Sequence, residues 1–447
     1  MWENAGHRMG WKDRKLPYIG SVHFRGSLPP RAEDFAFLKS QGFTISPREN
    51  DGNAHWSIRL GHTDWGKAVV GPPRDAPRLP RDLIKFDPFL TNEEKAEARL
   101  GETPVTVVTE GRVGDMLRDR KYLLRFLRAL MSDDGMVAVD HSAQRLWSRE
   151  ALDYELSHDA DLDVSALYAM HVVVPDEPED AAPTWLHTHG LAEIGFFDFD
   201  ILSPSEGLWT YGIDAIRAMA FAIVEQEVGP STPTFTLASP GGEVRLVEIG
   251  DFLRKADPVT RALRLGADDD HNNNRAVVCE PVNGLFARWF GRVKPAKFLT
   301  GNLPDDRVLP FSNEASALMA RRAQNTLSQF RKLSADLAEF AFPNIAKIGY
   351  TVDGGDPSDP SDLEHLWFEV HAIEKDRLDA TLASEPIGVT RMKSGQRAWH
   401  RLDQLSDWSI VTPIGMINPR DARAARAILA DRQEFAKALR AATASEG

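Results

Sequence analysis

At 447 residues the chain exceeds what one hydrophobic core sustains, so more than one domain is expected, and 42% apolar with 27% charged residues excludes a fibrous or wholly disordered chain. A formal charge of −13 argues against nucleic acid and anionic membrane, which are bound through clustered Lys and Arg, and leaves a basic protein as the compatible partner. No run approaches the roughly 20 apolar residues of a bilayer span, and residues 1–17 lack a secretory apolar core, so the cytoplasm is the expected location.

The first segment reads as a βαββ unit. Tyr18 to Arg25 alternates as a strand, Arg31 to Ser40 carries Phe35, Phe37 and Leu38 on a short helix, and His55–Leu60 and Lys67–Val70 flank a turn at Gly61-His62-Thr63-Asp64. The proline-rich Gly71–Asp82 marks a linker or surface excursion. A β-branched run, Val105 to Thr109, then precedes a helix from Val113 to Met131 with a broad leucine face. Met136–Val139 is a strand that leads through Asp140-His141-Ser142 into a helix bearing Leu146, Trp147 and Leu152. Leu167–Val174, Thr184–Gly190 and Phe196–Ile201 follow as strands, then a helix over Gly212–Glu227. Cys279, within an apolar run, reads as a small core residue, and Asp268–Asn274 as an exposed loop without the Gly and Glu of a calcium-binding loop. One long helix is expected over Asn313–Phe340.

Alternating strands and helices with hairpins define a multi-domain α+β fold with mixed or antiparallel sheets rather than a doubly wound one. The expected division is an N-terminal region over 1–100, a central domain over 101–310, a connecting helix over 311–341 and a β-rich domain with a terminal helix over 342–447.

His187-Thr188-His189 places two imidazoles two residues apart, so on a strand both point to one face within reach of one metal ion. Two ligands are too few for a catalytic zinc, which takes three protein ligands and a water, so His171, Glu193, Asp198 or Asp200 must complete the set. With Phe197, Phe199 and Ile201 facing a core, Asp198 and Asp200 would share the opposite face. The alternative is a pair of half-exposed histidines on a strand ending at Gly190. The spacing is similar to that of the JAMM metallopeptidases, but the Pro, Ser and Asp of their motif are missing, which excludes that family.

After the turn-rich Asp353–Asp362, five short strands are expected in a half-barrel or bent sheet, and Asn418-Pro419 opens a last helix bearing Ile428, Phe435 and Leu439. Glu364-His365-Leu366-Trp367, Leu382 with Glu385-Pro386, the Lys393-Ser394-Gly395 turn and Leu405-Ser406-Asp407-Trp408 together resemble domain of unknown function 2314, the YegJ-like bacterial domains. The resemblance covers about Phe342–Ala422, and the central region is similar to other uncharacterised domains that accompany this family. The family has no established catalytic residues, so the resemblance implies positions and no mechanism. His365, Trp367, Glu385, Asp407 and Trp408 are the candidates for an aromatic partner-binding surface, against the alternative that both tryptophans are core.

The leading expectation is a non-catalytic protein-binding role, for example as an immunity, toxin-neutralising or scaffold protein, with no cofactor. The alternative is a metal-dependent hydrolase that holds one divalent ion such as zinc at His187 and His189, with Asp198 and Asp200.

Overall fold

The computed structural model describes residues 13–26, 32–48, 55–70, 79, 81–87, 89–156, 162, 164–173, 185–202, 215–217, 219–220, 222–223, 234–236, 243–259, 261, 274–281, 293–296, 313–412, 415–419, 422–433 and 435–437. The fold is α+β, and the chain divides into two units, Met1–Asp87 with Glu93–Pro310 and Pro88–Asn92 with Phe311–Gly447.

Among the described residues the first unit contains two sheets. The first is antiparallel and joins β1 (Lys15–Arg25), β2 (Phe43–Arg48), β3 (His55–Leu60), β4 (Thr63–Val70), β5 (Gly101–Arg112), β6 (Gly135–Asp140) and β7 (Arg145–Trp147) in the order β2-β3-β4-β5-β1-β6-β7. The β3–β4 hairpin turns where the glycine-containing tetrad placed it. β5, whose β-branched residues suit a doubly flanked strand, pairs with both β1 and β4, so residues on either side of position 100 share one sheet. Helix α1 (Met116–Met131) lays Leu123, Leu124, Phe126, Leu127 and Leu130 on this sheet, each at most 1% exposed. Each such side chain contributes about 1.5–3 kcal/mol relative to exposure.

Two local expectations are corrected here. Ala32–Gln41 winds as a 3-10 helix rather than an α-helix, and Phe35, the residue that leaves helical geometry, packs between Phe24 and Trp56 at ring separations of 6.0 and 5.1 Å. Leu146 and Trp147 lie on β7 instead of a helix; the helix α2 (Arg149–Leu156) starts later, where the Ser148 hydroxyl accepts a hydrogen bond from the Ala151 amide at 3.0 Å.

The second sheet is mixed: β8 (Ala169–Val173), β9 (Trp185–His189), β10 (Asp198–Leu202), β11 (Thr234–Thr236), β12 (Glu243–Glu248) and β13 (Arg275–Cys279), in the order β11-β12-β13-β10-β9-β8, with β10 and β13 parallel. Cys279 is buried, in a cluster with Trp185, Val247, Phe252 and Val277. Of the helix expected over Gly212–Glu227, residues 215–217, 219–220 and 222–223 are helical. The Asp268–Asn274 run, apart from Asn274, lies outside the described residues.

The second unit holds one antiparallel sheet of β14 (Asn344–Thr351), β15 (Leu363–Ile373), β16 (Arg377–Leu382), β17 (Arg397–Arg401), β18 (Leu405–Thr412) and β19 (Gly415–Ile417), ordered β17-β16-β15-β14-β18-β19. The five strands expected after Asp362 are β15 to β19, and β14, before the turn-rich loop, pairs between β15 and β18. The single long helix is two, α3 (Asn313–Asn325) and α4 (Leu327–Asp336), broken at Thr326. The Thr326 hydroxyl donates to the Arg322 carbonyl at 2.8 Å and accepts the Trp408 indole N–H at 3.0 Å. Phe330, Leu333 and Leu337 share one core with Leu366, Phe368, Leu378, Trp408 and Ala425, the last on α5 (Ala422–Ala430). These helices are therefore part of the β-rich unit rather than a connector.

Candidate functional site

β8 and β9 pair so that His171 faces His187 and Ala169 faces His189. Because residues two apart on a strand share a face, His171, His187 and His189 converge on one side of the second sheet. Their ring centroids are 5.4 Å apart for His171–His187, 4.8 Å for His171–His189 and 4.9 Å for His187–His189. One nitrogen from each ring lies within 4.8 Å of the others. Tetrahedral zinc with bonds of about 2.0–2.1 Å would set such nitrogens roughly 3.3 Å apart. His187 and His189 are 2% and 6% exposed, and His171 is the more accessible member.

Asp198 and Asp200, expected as ligands, are instead part of the framework. Both are fully buried. Asp198 accepts hydrogen bonds from the Thr188 hydroxyl and the Leu191 amide, each at 3.1 Å, which shape the end of β9. Asp200 accepts from the Trp185 indole at 3.1 Å and from Nε and Nη2 of Arg275 at 3.0 and 2.5 Å. The parallel pairing of β10 with β13 sets Arg275 beside Asp198, 4.0 Å from its carboxylate. Of the four residues named to complete the set, His171 supplies the third imidazole, and the cross-strand register that selects it over the carboxylates is not readable from one strand's alternation.

Gly190 ends β9 with φ +116°, and a Cβ there would stand 2.5 Å from the Leu167 carbonyl oxygen, 3.0 Å from Tyr168 Cα and 3.1 Å from Ala143 Cα. The strand end that carries His189 is thus held against backbone on two sides.

A second buried polar group lies on the first sheet. The Ser21 hydroxyl is 3.1 Å from His23 Nε2 and 2.8 Å from His141 Nε2. Burial, with His141 beside it, pushes the His23 imidazole down to about 4. His141 is also lowered by burial, against the Asp140 carboxylate that raises it. Asp140 pairs with Arg120, both 1% exposed, and Arg120 lies 4.9 Å from the Tyr18 ring centre. Glu193, on the turn after Gly190, is pushed up to about 7 by burial and by the Asp198 charge. Sequence reading missed this group, although Ser21 and His23, two apart on an alternating strand, were a signal for it.

The C-terminal candidates separate. Trp408 is fully buried, stacked on Phe330 at 4.8 Å and 13°, so it is a core residue and not part of a surface. Asp407 is also buried and accepts from the Trp408 amide. Trp367 is half-buried with Lys347 Nζ 5.4 Å from its ring centre, and His365 Nδ1 lies 2.9 Å from the Ser406 hydroxyl. Burial and then Lys347 lower the His365 imidazole. Glu385 is exposed. Beyond it Ile387 is 89% exposed, on a loop whose Ile387 and Gly388 amides donate to Glu364, each at 2.7 Å.

The architecture is that of an α+β protein with a histidine cluster in one unit and a helix-backed antiparallel sheet in the other. Residues 314–418 match the model of the family described as an uncharacterized protein conserved in bacteria, DUF2314, in agreement with the resemblance of the C-terminal strands. The match begins within α3, which fits the place of α3 and α4 in the core of that unit. No curated protein and no solved structure matches the chain.

Proposed function

We propose that the chain binds a divalent transition metal, zinc in the first instance, through His171, His187 and His189, and uses it hydrolytically. The observation that supports this reading is the convergence of the three imidazoles from two adjacent strands. Three nitrogen ligands suit zinc over magnesium or calcium and leave one coordination position for water. An ion held this way lowers the pKa of its bound water to about 7 and so supplies hydroxide at neutral pH. Elemental analysis of protein loaded with zinc and desalted should give close to one ion per chain. His171→Ala, at the most accessible ligand, should lower that occupancy without loss of fold. Protein that retains no metal after loading would end this reading.

A second reading concerns the C-terminal unit and rests on Ile387, an apolar side chain presented on a backbone fixed by Glu364. Asp356 and Asp359, held below the usual carboxylate range by hydrogen bonds from Ser358 and Ser361, and the exposed Glu385 place negative charge on the neighbouring loop and on the same one. We propose that a basic protein docks here. Binding should weaken with salt through its on-rate and be lost in Ile387→Asp. A partner captured equally by both forms would refute it.

A further inference from the structure

Trp185, His187 and His189 occupy alternate positions of β9 and share a face. The Trp185 indole lies flat against the His187 imidazole, with centroids 3.9 Å apart and planes 24° apart. Its N–H donates to Asp200 Oδ1 at 3.1 Å, and Asp200 is in turn clamped by Nε and Nη2 of Arg275. The third nitrogen of the same guanidinium, Nη1, donates to the Thr188 carbonyl at 3.1 Å, the peptide between the two β9 histidines. Arg275 Cζ also lies 5.7 Å from the Trp185 ring centre. One fully buried side chain therefore holds both the backbone between two ligands and, through Asp200 and Trp185, the ring plane of one of them.

Burying this ion pair is costly, and an apolar replacement of equal volume would stabilise the sheet as well or better. The contribution specific to Arg275 is geometric. A metal centre demands that its donor atoms be fixed to within a few tenths of an ångström, and groups behind the ligands supply that order. We infer that Arg275, Asp200 and Trp185 form a positioning clamp for the histidine metal site, with Trp185 setting the plane of His187. The inference rests on the metal reading above.

The test compares full-length wild type with Trp185→Phe, which keeps a stacked ring and removes the indole N–H, Trp185→Leu, which removes the stack, and Arg275→Lys. Zinc affinity is measured by competition with a chromophoric chelator, and the visible spectrum of the cobalt-loaded protein reports ligand geometry. Loss of groups behind metal ligands typically weakens binding about 10–100-fold, so Trp185→Phe should fall near the lower figure and Trp185→Leu near the upper. The cobalt bands should shift in Trp185→Leu, which a residue that only fills space would not cause. Should Arg275→Lys fail to fold, the two Trp185 variants still decide the matter. If both bind zinc within twofold of wild type with an unchanged cobalt spectrum, the clamp is refuted and the metal reading stands. If wild type takes up no zinc, both are refuted.

Discussion

Gly190→Ala tests the packing that carries His189. The backbone at Gly190 has φ +116°, outside the small left-handed region that an L-residue tolerates, and holding alanine there costs of order 1–3 kcal/mol. The added methyl would also meet the Leu167 oxygen at 2.5 Å and the Cα atoms of Tyr168 and Ala143 at 3.0 and 3.1 Å. All three contacts are backbone, so no side-chain rotation relieves them, and overpacking of this kind adds about 1–3 kcal/mol. The sum, about 4 kcal/mol, is a large share of the roughly 5–15 kcal/mol that holds a domain folded. Urea denaturation followed by tryptophan fluorescence should show the transition of the first unit moved to lower denaturant, with that of the C-terminal unit unmoved. A loss below about 1 kcal/mol would show that the β9 terminus yields and would refute the packing argument.

Further outcomes follow from the buried polar groups. Since the His23 ring is held down at about 4 against an ordinary 6.5, the unfolded chain takes up a proton that the folded chain refuses as pH falls through this interval. Wild type should lose up to about 3 kcal/mol between pH 6.5 and 4 from this group, and His23→Gln should lose that much less; coincident pH profiles would refute the argument. Glu193 has the opposite sign: its carboxyl, raised from 4.5 to about 7, keeps a proton that the unfolded chain releases, so stability falls as pH rises through that window. Glu193→Gln should therefore be more stable than wild type at pH 8, by about 1–3 kcal/mol, and no more stable at pH 4, as read by denaturant midpoints. Thr326→Val removes the acceptor of the buried Trp408 indole and should cost the C-terminal unit about 1–3 kcal/mol, most of it absent when Trp408→Phe is already in place. Glu364→Ala frees the Ile387 and Gly388 amides, whose hydrogen exchange should quicken roughly tenfold or more; unchanged rates would mean the loop is held by other contacts.

Elements with a strong local period were legible. The alternation of Glu364–Ile373 and Arg377–Leu382 gave β15 and β16 within a residue, and the leucine face of Val113–Met131 gave α1 to within three residues of its start. Where tertiary contacts override local preference, reading failed. The apolar period of Asn313–Phe340 runs through Thr326 without a breaker, and the break falls where Thr326 meets the indole N–H of a residue 82 positions away. Leu146 and Trp147 fit a helix as well as a strand until the pairing of β7 with β6 is known. The boundary placed at 342 followed the change of period from helix to strand, whereas the unit is set by which helix covers the sheet.

The histidine site shows the same limit in its chemistry. Two of its three imidazoles were visible as His187-Thr188-His189, because period 2 is a property of one strand. His171 was one of four candidates for the third position, and choosing it required the register between β8 and β9, which a sequence fixes only through the whole sheet. Asp198 and Asp200 were misassigned for a related reason. Alternation placed them together on the face opposite Phe197, Phe199 and Ile201, whereas β10 is buried on both faces, and a carboxylate fully removed from water must find donors. Arg275, the main donor to Asp200, lies 75 positions away on β13 and was not foreseen. A sheet interior built for stability alone would carry apolar side chains at Asp198, Asp200, His187, His189 and Arg275. The fold instead meets the desolvation cost of all five on one face, and what that arrangement provides in return is three imidazoles held at fixed places.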